Sequence, residues 1–228
     1  MERISKQQLV KLFDTAISKG TEMQKDWGND RIMRLRKVHP EKTPAQIAKI
    51  IKTDYVRNVA LIGTASGSTA VFPTGVGIVA ALADLGLFLT ESSKYVLTMA
   101  ELCGLHTEDQ ERRKLLVLLC VLGDSGAKGL TKNLIPKSAG RLGAAIVNNV
   151  PRTMIKAINK AIYPKFITVA GKSGTIVLAK QAPLLIGAVL GATSNSLFAS
   201  GIVKASQKII GPVPSSWEKP KLAKSKKK

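Results

Sequence analysis

The sequence predicts an all-α protein, a multi-helix bundle with two Gly/Ala-rich apolar helical hairpin segments at about 59–102 and 165–209. Three observations predict it. Apolar residues recur at i, i+3, i+4 and i+7 through much of the chain, the spacing that gathers them on one helix face. Four Ser/Thr-x-x-Gln capping boxes occur, at Ser5/Gln8, Thr21/Gln24, Thr43/Gln46 and Thr107/Gln110. In such a box the hydroxyl accepts the N3 amide proton while the glutamine reaches back to the cap amide. Alternating strand patterns, by contrast, are scarce.

The elements follow in order. The first helix spans about 5–19, with Leu9, Leu12, Phe13, Ala16 and Ile17 on one face, and Gly20 is read as its C-terminal stop. A more polar helix covers about 22–36. The third starts with Pro44 at its first position, where the missing amide proton costs nothing, and aligns Ile47, Ile50, Ile51 and Tyr55. An uncharged run then extends from Val59 to Ala83, broken by Pro73, Gly75 and Gly77. A long helix is predicted over about 76–102. Thr107 is expected to cap the next, with Glu108, Asp109 and Glu111 in its first turn, where acids favour the helix dipole. That helix carries LLVLLCVLG (115–123) and ends at Gly123 and Gly126. Helices at 137–149, 151–163, 165–180 and 183–209 follow, separated by Pro151, Pro164 and Pro183, since proline breaks a helix interior. Residues 166–179 have β propensity, but no hairpin signal supports strands there.

The run 59–83 has the length to cross a bilayer, which takes roughly 20 apolar residues. Of its 25 residues, however, 15 are Gly, Ala, Ser or Thr, and Pro73 divides it. Two short arms of a hairpin fit better than one span. A second uncharged run, 181–203, resembles it, and Gly187 and Gly191 echo the four-residue spacing of Gly63 and Gly67. Such pairs form a flat helix face that admits another backbone. The two runs read as packing partners.

Charge is the sharper signal. The chain carries 35 Lys and Arg against 15 Asp and Glu, a net charge of +20. The excess is concentrated: residues 126–228 contain 18 basic side chains and one acid, Glu218. Solvated helices ordinarily mix signs as i,i+4 pairs. A half of one sign implies a polyanionic partner, either anionic lipid or nucleic acid. The segment 212–228 has three prolines and six lysines, Lys219, Lys221, Lys224, Lys226, Lys227 and Lys228. It reads as a disordered tail beyond a single domain covering 1–211. Each lysine near an anionic leaflet contributes about 1 kcal/mol, and Trp217, just ahead, suits a membrane interface. Two cysteines make no disulfide framework and suit a reducing compartment. The N-terminus carries acids and lacks an apolar core, so no secretory signal is expected.

Chemical motifs are weak. GKS (171–173) lacks the glycine a phosphate loop needs five residues earlier, where Phe166 stands. Gly75, Gly77 and Ala80 match GxGxxA, but no strand precedes them. Cys103 and His106 have C-x-x-H spacing without a second pair to complete a zinc site, and a Cys–His nucleophile lacks support at a helix C-terminus. No catalytic residue, metal or cofactor is assigned. Asp84, Glu91 and Glu101 lie along the long apolar helix. An acid relay is one reading, and pairing with bases such as Arg112 or Arg113 is the plainer one.

In order and spacing, LIGTASG (61–67), PTGVG (73–77), ADLG (83–86), AELCGLHTEDQERR (100–113), PLLIGAVLGATSN (183–195) and IIGPVP (209–214) resemble the EcsC protein family over about 40–214. The chain departs from that pattern at Cys103, where the family usually carries an aromatic, and the lysine tail lies outside it. The resemblance implies an α-helical protein with no established enzymatic activity, in a genetic context of transport and secretion. It carries over Gly63, Gly67, Asp84, Glu101 and Gly104 as motif positions with architectural roles.

Together these observations lead to an expected function. The chain is read as a non-enzymatic protein on the cytoplasmic side of the membrane, peripheral or partly inserted. It would bind anionic lipids through the basic half and the tail, with a membrane-protein partner in a transport or secretion system. The alternatives are a soluble nucleic-acid-binding protein, which the charge permits, and a helical hydrolase.

Overall fold

The computed structural model describes residues 6–23, 26–67, 75–131, 142–162, 167–170, 175–178 and 192–217. Among the described residues there are eight helices: α1 (Lys6–Met23), α2 (Trp27–Val38), α3 (Pro44–Gly67), α4 (Gly75–Leu102), α5 (Gln110–Thr131), α6 (Leu142–Asn148), α7 (Arg152–Ile162) and α8 (Ala192–Ile210). Two short strands, β1 (Ile167–Ala170) and β2 (Thr175–Leu178), lie between α7 and α8. The fold is an all-α bundle, as the periodicity predicts.

Helix α4 is the centre, touching α1, α2, α3, α5 and α8. Every residue from Tyr95 to Ala100 is buried. A helix apolar all round belongs inside a core, but α4 also carries hydroxyls there. Ser92 and Ser93 donate to the carbonyls of Phe88 and Leu89, each at 2.8 Å. Both hydroxyls are thereby satisfied within their own helix, and Ser92 also meets the Tyr55 hydroxyl of α3 at 3.0 Å. The second core rod is α5, buried continuously from Leu115 to Leu122. Its α-helical geometry is interrupted at Gly123, whose φ of 81° favours glycine.

The first hairpin forms as expected. Helix α3 buries Ile47, Ile51, Tyr55 and Val59 at four-residue steps and packs against α4. The capping box at its start is closed in both directions: the Thr43 amide donates to Gln46 Oε1 at 2.8 Å, and the Gln46 amide to Thr43 Oγ1 at 3.3 Å. Helix α8 packs along α3, and Phe88 of α4 meets Phe198 of α8 edge to face at 6.2 Å. The helices that carry the described parts of the two small-residue runs therefore touch, α8 against α3 and α4; residues 68–74 and 181–191 lie outside the described residues.

Several expectations are corrected. Gly20 does not stop the first helix, which runs to Met23. A Cβ at Gly20 would lie 3.1 Å from Ser93 Oγ, so this glycine lets α1 lie close against α4. Thr21 is accordingly no cap: it is fully buried and donates to the Ile17 carbonyl at 2.9 Å. Gly28 does for α2 what Gly20 does for α1, its missing Cβ 3.3 Å from Thr98 Cα. The largest correction concerns 165–180, expected as one arm of a helical hairpin spanning 165–209. Here β1 and β2 pair antiparallel, with Ile167 opposite Leu178 and Ala170 opposite Thr175. The β-branched Ile167, Thr168, Val169, Thr175, Ile176 and Val177 lose χ1 freedom in a helix and fit a pleated ribbon. No helix among the described residues is long and apolar enough to cross a membrane.

Helix α6 meets the end of α8 at a glycine. A Cβ on Gly143 would come 2.9 Å from the Ile209 carbonyl oxygen and 2.8 Å from Leu105 Cδ1. Helix propensity alone predicts that Gly143→Ala stabilises by about 1 kcal/mol. The packing predicts the opposite sign, a loss of about 1–3 kcal/mol from overpacking, measurable as a lower denaturant midpoint at unchanged slope.

Candidate functional site

Beyond ion pairs such as Arg31–Asp54–Arg57, polar groups of the described residues meet at the turn between α4 and α5 and at the corner where the C-terminal segment meets the α2–α3 loop. The turn ends α4 through a left-handed glycine. Gly104 has φ 74°, the Leu105 amide donates to the Ala100 carbonyl at 2.8 Å, and the Gly104 amide to Glu101 at 2.9 Å. This pair of bonds defines a Schellman cap, and buried Leu105 and Ala100 supply its hydrophobic contact. The cap folds the chain back so that His106 reaches Glu101. Nδ1 lies 2.6 Å from Glu101 Oε1 and Nε2 lies 3.0 Å from Glu108 Oε1. With a carboxylate on each ring nitrogen the imidazolium is favoured, and Glu101, the stronger influence, raises the His106 pKa above its ordinary value.

The next helix is capped two residues later than the sequence suggests. Asp109, not Thr107, takes the N-cap role: its Oδ1 accepts from the Glu111 amide at 2.9 Å, while Thr107 Oγ1 accepts from the Asp109 amide at 3.2 Å. Arg113 is buried, and its guanidinium donates to the Thr107 and Glu108 carbonyls at 3.1 and 3.0 Å, bracing this loop. Arg112 donates to the Ile146 carbonyl in the last turn of α6. Among the described side chains, neither arginine bonds a carboxylate of α4. Glu91 is held instead by Lys94 at 2.7 Å and Asn58 at 3.1 Å.

Both cysteines and two of the three tyrosines lie among the described residues. Cys120 is fully buried, and burial pushes its thiol pKa up. Cys103 points its thiol toward the Gly211 carbonyl at 3.9 Å, whereas His106 faces its two glutamates, so the C-x-x-H spacing does not converge. Among the described residues no group of three or more His, Cys, Asp or Glu side chains is arranged to hold a metal ion. Tyr55 and Tyr95 stack in the core with ring centroids 4.5 Å apart. Their hydroxyls meet Ser92 at 3.0 Å and Ser206 at 3.3 Å. Burial pushes the Tyr95 phenol up to about 12 and that of Tyr55 higher still, so both are neutral hydrogen-bonding groups.

Trp217 is the residue whose placement differs most from expectation. It is partly buried against the core, and its indole Nε1 donates to the Lys42 carbonyl at 2.9 Å. The Arg36 guanidinium lies 4.3 Å from the ring centroid, a cation–π contact. The indole thus pins the segment after α8 to the α2–α3 loop. Exposed Lys49 and Lys52 on α3 line a groove with Pro212 and Val213 of the same segment. The first of the six tail lysines, Lys219, follows two residues later in the sequence. Sequence reading missed this dock. The one available signal was a lone tryptophan after IIGPVP.

The remaining sequence-assigned positions are scattered. Gly63 and Gly67 fall at the end of α3 and Asp84 within α4, with side-chain surroundings outside the described set. Glu101 and Gly104 do come together in one turn. Gly187, Gly191 and Lys219, Lys221, Lys224, Lys226, Lys227 and Lys228 lie outside the described residues. The class that fold and site define is a basic all-α bundle with a pinned C-terminal segment. No family model matches the chain, and no curated protein or solved structure matches it.

Two outcomes follow. Trp217→Ala removes the indole hydrogen bond and ring packing and lowers stability by about 2 kcal/mol. It also opens the segment after α8 to limited proteolysis, which mass spectrometry of the cleavage sites reads. The raised pKa of His106 means that its contribution to stability is complete below the ordinary histidine range. That contribution is lost as pH rises through its own higher midpoint. NMR titration of the ring places that midpoint above 6.5, the unperturbed histidine value, and Glu101→Gln brings it down.

Proposed function

We propose that this chain is a non-enzymatic, peripheral membrane protein that docks its basic side on the anionic cytoplasmic leaflet. It would act there beside a membrane-protein partner in transport or secretion. The observation that supports this reading best is the Trp217 pin. It holds the chain against Arg36 and the Lys42 carbonyl just ahead of the tail lysines in sequence, so that tail and corner would act together on an anionic surface. Each cation near an anionic leaflet contributes about 1 kcal/mol, and the six tail lysines suffice for stable association once the corner orients the bundle. The resemblance of the motif blocks to the EcsC family supports the same direction.

The nucleic-acid alternative finds less support. Single-stranded nucleic acid is held by exposed aromatic platforms, and the described Trp and Tyr side chains are engaged internally. Trp27 lies beneath Arg34 and Lys94, Trp217 is docked, and the two tyrosines are stacked in the core.

Sedimentation with vesicles tests the proposal. The protein should pellet with phosphatidylglycerol-containing vesicles, stay in solution with pure phosphatidylcholine, and be released as salt is raised. Truncation after Trp217 should weaken binding by at least about tenfold. Equal binding to neutral vesicles, or none to anionic ones, would overturn the proposal.

A further inference from the structure

A groove of about 570 Å³ opens between the N-terminal half of α3 and the C-terminal end of α8. Its size falls within the range of single small-molecule sites, roughly 300–1,000 Å³. Its two sides differ in chemistry. Ala45 and Ala48 keep the α3 wall low, while Met99 at the floor and Ile210 and Val213 opposite make it aliphatic. At the α3 rim stand Lys49 and Lys52, both exposed. They are three residues apart on one helix face, about 5–6 Å between Cβ atoms.

No carboxylate lines this groove. Acids elsewhere are taken up: Asp54 by Arg31 and Arg57, Glu91 by Lys94, Glu111 by Lys114. Neither Lys49 nor Lys52 is within ion-pair distance of a described carboxylate. Two adjacent ammonium groups beside a low-dielectric wall repel each other and call for an anion. Gln207, and Ser206 with the Tyr95 hydroxyl deeper down, add uncharged polar groups. The far wall is also held in shape. Gly211, with φ 104°, turns the chain out of α8, and Trp217 fixes the segment that follows. The groove therefore exists before any ligand arrives, which lowers the ordering cost of binding.

From this geometry we infer that the α3–α8 groove is a binding site for a single-chain anionic amphiphile, such as a fatty carboxylate. The aliphatic chain lies over Ala48, Met99, Ile210 and Val213, and the anionic head is met by Lys49 and Lys52. A nucleotide is a poorer fit, because the Tyr95 ring is stacked against Tyr55 and offers no face to a base. A diacyl lipid needs room for two chains, and the groove has room for one. The inference goes beyond leaflet association: it concerns one molecule taken from solution or from a membrane, not a surface.

Isothermal titration of the full-length protein with dodecanoate, kept below its micellar concentration, tests it. Dodecanol supplies the chain without the charge, and acetate the charge without the chain. Saturable binding of dodecanoate is expected, with little from either control. Lys49→Gln/Lys52→Gln should weaken it by about tenfold or more. Ala45→Trp, at an exposed position, should fill the groove and abolish it while the far-ultraviolet circular dichroism stays unchanged. Absent binding, binding that neither variant alters, or equal binding of dodecanol would overturn the inference. Vesicle sedimentation of the Lys49→Gln/Lys52→Gln variant separates the two proposals. The tail should still carry it to anionic membranes. Loss of vesicle binding by wild type with dodecanoate binding intact removes the leaflet reading alone, and the reverse result removes the groove alone.

Discussion

The bundle depends on α4, whose stretch from Tyr95 to Ala100 is buried throughout. Five helices pack around it, and two of them, α1 and α2, approach at glycines, Gly20 and Gly28, whose missing Cβ atoms let backbone lie near backbone. That approach works only because the facing α4 residues are Ser93 and Thr98, small enough for close contact. Ser93 carries an internal bond to its own helix. A core with so few aromatics cannot rely on large rings to fill space; it fills space by bringing backbones together instead. The stacked pair of Tyr55 and Tyr95 sits where α3 meets α4 and gives the aliphatic interior a directional contact.

The periphery follows from that centre. Once α4 is buried to Leu102, its C-terminus must turn sharply to return the chain as α5. Gly104 makes the turn, and it leaves Glu101 and His106 facing each other outside. Once α8 lies along α3, its end emerges beside the α2–α3 loop, where Trp217 finds the Lys42 carbonyl. The surface chemistry is thus a by-product of where the core helices finish. It brings Arg36 of α2 onto the Trp217 ring, although the two stand far apart in the sequence.

Much of the fold was legible because its signals are local. The four-residue steps Ile47, Ile51, Tyr55 and Val59 and the box at Thr43 and Gln46 predict α3 correctly, and the box closes as the pattern requires. Local signals failed where two uses of one residue compete. Glycine at position 20 reads as a stop but serves as a contact, and Thr21 reads as a cap but bonds backward inside a helix. At 167–178 prolines on either side suggested another helix, while the β-branched residues favoured a ribbon, and the ribbon prevailed. Of the candidate site, Glu101 and Gly104 were visible as motif residues. Their partner His106 was noticed only for its spacing from Cys103.

The sequence by itself determined the helical class, the cap at the start of α3 and the segregation of positive charge. These depend on the identities of residues within a few positions of one another and on simple totals. Only the tertiary structure decided that Trp217 is docked, that Cys103 and His106 diverge, and that Lys49 and Lys52 border an aliphatic groove with Met99 and Ile210. Those outcomes depend on which helix ends meet. That is set by the packing of the whole core around α4, which no stretch of sequence encodes alone.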